Sequence, residues 1–171
     1  MKQNFDFIVD KENNTINAKR AFAADIEIVW QAWTDAAILD QWWAPKPYVT
    51  KTKFMEFKVG SYWLYAMISP EGEKHWCRAD YQQIDILKSF SGLDAFCDEN
   101  GKVTDSFPRS LWHNEFSQDG ENTFVNITIK YSSLNDLEKI IELGFKEGFT
   151  MALGNLDQLL EAHLKNNIKL K

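Results

Sequence analysis

The chain has 171 residues, 44% hydrophobic and 26% charged, a balance that suits one globular domain with its own core. A net charge of −6 argues against a nucleic-acid surface and against an anionic membrane. No stretch approaches the roughly 18 apolar residues of a spanning helix, and Met1-Lys2-Gln3-Asn4-Phe5-Asp6 does not read as a signal peptide. Cys77 and Cys97 lack CxxC spacing, so they are expected to be reduced, buried thiols of a cytoplasmic protein and not a metal site. Seven Trp, five Tyr and twelve Phe must be buried or must line something.

An alternating piece, Phe5, Phe7, Val9, either pairs as an extra strand or stays apart; the polar turn Asp10 to Asn14 follows it. The strand Thr15 to Phe22 alternates through Ile16, Ala18, Arg20 and Phe22. Asp25 is placed to cap a helix over 26–34, and Asp35 a second over 36–43, which Pro45 and Pro47 end. The middle is β. Strands are expected over 49–57, 61–68, 74–84, 87–97, 110–116 and 123–131, separated by turns such as Ser69-Pro70-Glu71-Gly72.

From Ser133 to Lys165 apolar and small residues recur at 3-4-3-4 spacing, the mark of one long helix with a wide buried face. Ser133 with Asp136 makes a capping-box-like start. Gly144, Gly148 and Ala152 form a stripe of small residues on that face. They either admit a closely packed sheet or leave room for a cavity. Strands in the middle and helices to one side give an α+β layer architecture, with space for a ligand between sheet and long helix.

Pairing Ile68 with Lys74 across the Pro70 turn sets odd residues opposite odd residues. Trp63, Tyr65 and Met67 then face inward with His75, Cys77, Ala79 and Tyr81, while Arg78 and Asp80 form a solvated ladder. Val125, Ile127, Ile129 and Tyr131 face in by the same logic. For 111–116 two choices stay open: His113 and Glu115 point inward, or Trp112, Asn114 and Phe116 do.

There is no Gly-rich phosphate loop, HExxH, GxSxG or zinc spacing, so no cofactor or metal is expected and no pattern amounts to an enzyme signature. His75 is either a cavity anchor or a histidine bonded near a strand end. His113 and Glu115, two apart on one strand face, make either an oriented acid–base pair or an ordinary surface pair. Trp42-Trp43-Ala44-Pro45 is either a cavity lid or a plug at the end of the sheet. His163 reads as a cation near a helix C-terminus.

Several of these segments together resemble the SRPBCC (START-like, helix-grip) superfamily. Specifically, they look like the domain homologous to the C-terminal part of the activator of heat-shock protein 90 ATPase. The likeness rests on Arg20-Ala21-Phe22, Val29-Trp30-Gln31-Ala32-Trp33-Thr34-Asp35, Trp42-Trp43-Ala44-Pro45, Val59-Gly60-Ser61-Tyr62-Trp63 with Met67, and Pro70-Glu71-Gly72. Gly144 to Phe149 and Leu156 to Leu160 complete it. It covers about residues 15 to 165. Where the family often has Gly-Trp, this chain has Gly144-Phe145 and Gly148-Phe149.

The resemblance implies a helix-grip fold. A curved antiparallel sheet of about six or seven strands would wrap a long C-terminal helix, with two short helices after the first core strand. It also implies a hydrophobic cavity. The expected function is binding of an apolar or amphipathic small molecule by a cytoplasmic monomer or homodimer. Trp63, Tyr65, Met67, Cys77, Tyr81, Phe145 and Phe149 are the expected wall, with His75, or His113 beside Glu115, as polar anchor. The alternatives are a cyclase- or hydrolase-like enzyme using His113 with Glu115, and a chaperone-interacting module exposing Trp42 and Trp43.

Overall fold

The computed structural model describes residues 5–166; residues 1–4 and 167–171 lie outside the described residues. Strands β1 (Phe5–Asp10) and β2 (Thr15–Phe22) lead to helices α1 (Ile26–Thr34) and α2 (Ala36–Leu39). Then come β3 (Val49–Met55), β4 (Tyr62–Ile68), β5 (Lys74–Asp85), β6 (Ser89–Phe96), β7 (Ser110–Asp119) and β8 (Asn122–Tyr131). The chain closes with α3 (Leu134–Glu142) and α4 (Phe145–Asn166). All eight strands form one antiparallel sheet in the order β1-β2-β8-β7-β6-β5-β4-β3. The fold is the helix-grip arrangement; β1, pairing along its whole length with β2, adds the eighth strand.

Alternation sets the inner face. Val125, Ile127 and Ile129 of β8 are fully buried, as are Ile16 and Ala18 of β2. Ile68 does pair with Lys74, which sets Trp63 opposite Ala79, Tyr65 opposite Cys77 and Met67 opposite His75. On β7 the buried set is Trp112, Asn114 and Phe116. His113 and Glu115 therefore point away from the core. Register shifts between Thr52 and Phe54 and between Tyr81 and Gln83 mark bulges, which bend and further twist a sheet.

Aromatic edges do much of the packing. Trp30 meets Phe116 and Phe90 edge-on at 5.0 and 5.7 Å, and Trp33 meets Trp42 at 5.1 Å. Trp42 is 1% exposed and its Nε1–H donates to the Ala32 carbonyl at 2.9 Å, so it is part of the core and not a lid. Asp35 caps α2 by accepting from Ala37 and Ile38. Asp25 does not cap α1 through its side chain; the Ile26 N–H donates to Gln118 Oε1 instead.

The single helix expected over 133–165 is two helices. The apolar periodicity runs through the junction, but Gly144 adopts φ +87° and ends α3. Gly144, at the junction, and Gly154, inside α4, should respond oppositely to alanine. Gly144→Ala is expected to cost about 1–2 kcal/mol because of its left-handed backbone. Gly154→Ala, where an added Cβ meets nothing within 4 Å, is expected to stabilise α4 by roughly 0.5–1 kcal/mol. Urea denaturation of the two variants checks both signs.

Candidate functional site

The helix break leaves a cavity of about 310 Å³ between the sheet and the α3–α4 junction. Its sheet wall is Tyr65 and Met67 of β4, Cys77 of β5, Asp94 to Phe96 of β6, Ser110 and Trp112 of β7, and Tyr131 of β8. Its helix wall runs from Ile140 through Gly144, Phe145, Gly148 and Phe149 to Ala152; Trp43 and Pro45 close one side. The small-residue stripe therefore lines open space, and Gly148 meets only Pro45, at 3.7 Å from an added Cβ. Asn155 of α4 holds the Trp43 loop by donating to the carbonyls of Ala44 (3.0 Å) and Trp42 (3.4 Å).

The lining is mostly rings with fixed geometry. Phe145 and Phe149 stack at 5.3 Å, Trp112 meets both edge-on at 5.9 and 5.6 Å, and Tyr65 stacks on Trp63 at 4.0 Å. Trp43 bridges the walls: its ring lies 6.3 Å from Phe149, and its Nε1–H donates to the Tyr65 hydroxyl at 3.0 Å. The Trp112 Nε1–H likewise donates to Ser110 Oγ at 3.1 Å.

One carboxyl sits in this apolar wall. Among the described residues, no hydrogen bond reaches the side chain of Asp94. Burial pushes its pKa well above the usual carboxylate range, helped by the charge of Asp80 and only partly opposed by Arg109. Burial also raises Tyr65, Tyr81 and Tyr131, and lifts the Cys77 thiol to about 12, with Asp94 reinforcing each. Burial thus acts against the charged form of each of these groups. A second, smaller space of about 30 Å³ lies beyond, and Trp43, Asp94 and Trp112 line both.

Of the wall residues expected from the sequence, Tyr65, Met67, Cys77, Phe145 and Phe149 line the larger cavity. Trp63 and Tyr81 line the smaller one. The polar anchors are placed elsewhere. His113 and Glu115 meet at 3.5 Å on the outer face with 41% and 59% of their side chains exposed. His75 pairs with Glu73 at 3.0 Å near the start of β5 and is 47% exposed. The cavity acid–base pair required by the cyclase or hydrolase reading is therefore missing from the wall, because inward Trp112 and Asn114 force His113 out. Trp42 is buried and Trp43 is part of the wall, so neither ring offers the exposed surface of the chaperone-module reading.

Sequence reasoning missed Asp94, Ser110, Trp112 and Tyr131 as a set. For Asp94 the available signal was a lone carboxylate at alternate spacing with Phe90, Gly92 and Phe96. Among the described residues no group of three or more His, Cys, Asp and Glu is placed to hold a metal ion, and no helix is long and apolar enough to cross a membrane.

The family model described as Activator of Hsp90 ATPase homolog 1-like protein matches residues 23–161. A crystal structure of a Mycobacterium smegmatis protein is 26% identical, with a TM-score of 0.84 over 93% of this chain and 97% of that one. A solution structure from Arthrobacter aurescens is 26% identical, with a TM-score of 0.86 over 91% of each chain. A protein of the same family from Silicibacter pomeroyi, 19% identical, shares the fold with a TM-score of 0.70 over 87% of this chain and 99% of that one. No curated protein matches the sequence.

Proposed function

Since the chain belongs to the Activator of Hsp90 ATPase homolog 1-like family, and a ring-lined space separates its sheet from its helices, we propose that it binds an apolar or amphipathic small molecule there. The observation that carries the reading is the cavity itself. Its volume of about 310 Å³ lies at the small end of ligand pockets. It is about twice the roughly 150 Å³ in which an engineered apolar cavity of another protein holds benzene, so a two-ring molecule is the natural size. Such a ligand would touch Tyr65, Met67, Cys77, Phe145 and Phe149, together with Trp43 and Trp112. The free thiols of buried Cys77 and Cys97 fit a reducing, cytoplasmic setting.

Titration with 2-naphthol, followed by the indole N–H signals in nitrogen-15 NMR, tests the site. The signals of Trp43 and Trp112 should move. That of Trp76, on the outer face beneath the Lys53 ammonium, should stay. Gly148→Leu should fold, since leucine is the better helix former, and should lose the shifts as its side chain fills the cavity. Equal movement at Trp76, or shifts that survive Gly148→Leu, would count against the cavity as the binding site.

A further inference from the structure

The polar side chains on the cavity wall pair with one another, and among the described residues Asp94 is the exception. The Tyr65 oxygen already accepts from Trp43, and its hydroxyl proton faces the Cys77 thiol, a weak acceptor. Ser110 Oγ already accepts from Trp112 and adjoins the Tyr131 hydroxyl. Asp94 stands opposite Ala79 on β5 and Ser110 on β7, which turns its carboxyl to the inner face. There it borders both spaces without a hydrogen-bond partner among the described residues. Half-buried Asp94 opens onto an apolar space, and a polar group removed from water without a partner costs stability unless something satisfies it. The hydroxyls that share the wall, of Tyr65, Ser110 and Tyr131, are already engaged with other groups.

From this arrangement, and resting on the binding function proposed above, we infer that the ligand is a neutral two-ring molecule bearing one carbonyl, whose oxygen accepts from the Asp94 carboxyl and the Tyr65 hydroxyl. A cationic amine would fit the wall less well. It would require an ionised Asp94 and a buried ion pair whose desolvation consumes much of the attraction. A carboxylate ligand would meet Asp94 as a second acid in a cavity with no cation on its wall.

The test is a three-compound comparison by the same indole signals: 1-tetralone, tetralin and 1-aminotetralin. Wild type should bind the ketone at least tenfold more tightly than the hydrocarbon or the amine. In Asp94→Ala the preference for ketone over hydrocarbon should fall to within about twofold. Asp94→Asn, which keeps a donor in place, should retain most of it. Tyr65→Phe should lose part of it without losing tetralin binding. Equal binding of tetralone and tetralin by wild type would overturn the anchor while leaving the cavity standing. Tighter binding of the amine would overturn the carbonyl assignment. A ketone preference unchanged in both Asp94→Ala and Tyr65→Phe would place the contact elsewhere. If none of the three compounds moves Trp43 or Trp112, both the anchor and the binding function fall together.

Discussion

Replacing Asp157 with alanine is expected to cost about 3 kcal/mol of folding stability, the lower end of the range for breaking a buried ion pair. Arg20 lies on the inner face of β2, 1% exposed, between the rings of Phe5 and Phe22. Its Nη2 bonds to Asp157 Oδ2 of α4, and its Nε is buried without a partner. Burial lowers the Arg20 pKa and raises that of Asp157, each outweighing the pull of the opposite charge. Both shifts say that desolvation is the larger effect, so the pair fastens α4 to β2 without adding much net stability. The asymmetry matters: deleting the carboxylate leaves an uncompensated guanidinium in the core. The double replacement Arg20→Met with Asp157→Leu should be far milder than Asp157→Ala alone. Urea midpoints decide it. A single-alanine cost below about 1 kcal/mol would mean that Arg20 is solvated or satisfied by other groups.

Asp94→Asn is expected to stabilise the protein increasingly as pH rises. Asp94 has a folded pKa well above its unfolded value of roughly 3.9, because burial disfavours its charge. Between those two values folding takes up a proton. The stability associated with neutral Asp94 is therefore complete below about 3.9 and declines as pH climbs toward the folded pKa. The asparagine variant has no such slope. The gap between the two proteins should be near zero at about pH 4, then widen by up to about 1.4 kcal/mol per pH unit until Asp94 itself ionises. Tyr65, Cys77 and Tyr131 on the larger space and Tyr81 on the smaller one have raised pKa values, so they stay neutral through the acid part of that window and add no slope there. Arg109 and Asp80 act on Asp94 in opposite directions. Asp157 contributes a slope of the same sign to both proteins, so it cancels from the difference. Thermal melts of both proteins from pH 4 to pH 8 check this; parallel curves would show that Asp94 titrates like a solvated carboxyl.

Both predictions concern charged residues on faces that alternation assigns to the core, and the sequence treated them unequally. Arg20 was legible in position, because Ile16, Ala18 and Phe22 flank it at alternate spacing, but its partner 137 residues away was not. Asp94 had the same flanking signal in Phe90, Gly92 and Phe96, but a lone carboxylate in a strand ordinarily faces solvent, which outweighs it. Only the pairing with Ala79 and Ser110 turns it inward. The hairpin at Pro70 did set the inner faces of β4 and β5, and with them Tyr65, Met67 and Cys77, because charge segregation allowed one register. On β7 that argument failed, since His113 with Glu115 and Asn114 with Trp112 are both mixed sets. The core chose the larger apolar rings and accepted a buried Asn114 with them. The α3–α4 break was hidden because apolar periodicity continues across it. Its only mark is Gly144, whose left-handed backbone a sequence does not announce.

The most direct test of a ligand between sheet and helices is native mass spectrometry of the protein purified from its own host, followed by denaturation and identification of what is released. The expected result is one neutral, ring-containing small molecule per chain in wild type and none in Gly148→Leu. A bare wild-type mass, or an adduct that Gly148→Leu retains in full, would contradict the cavity as its seat.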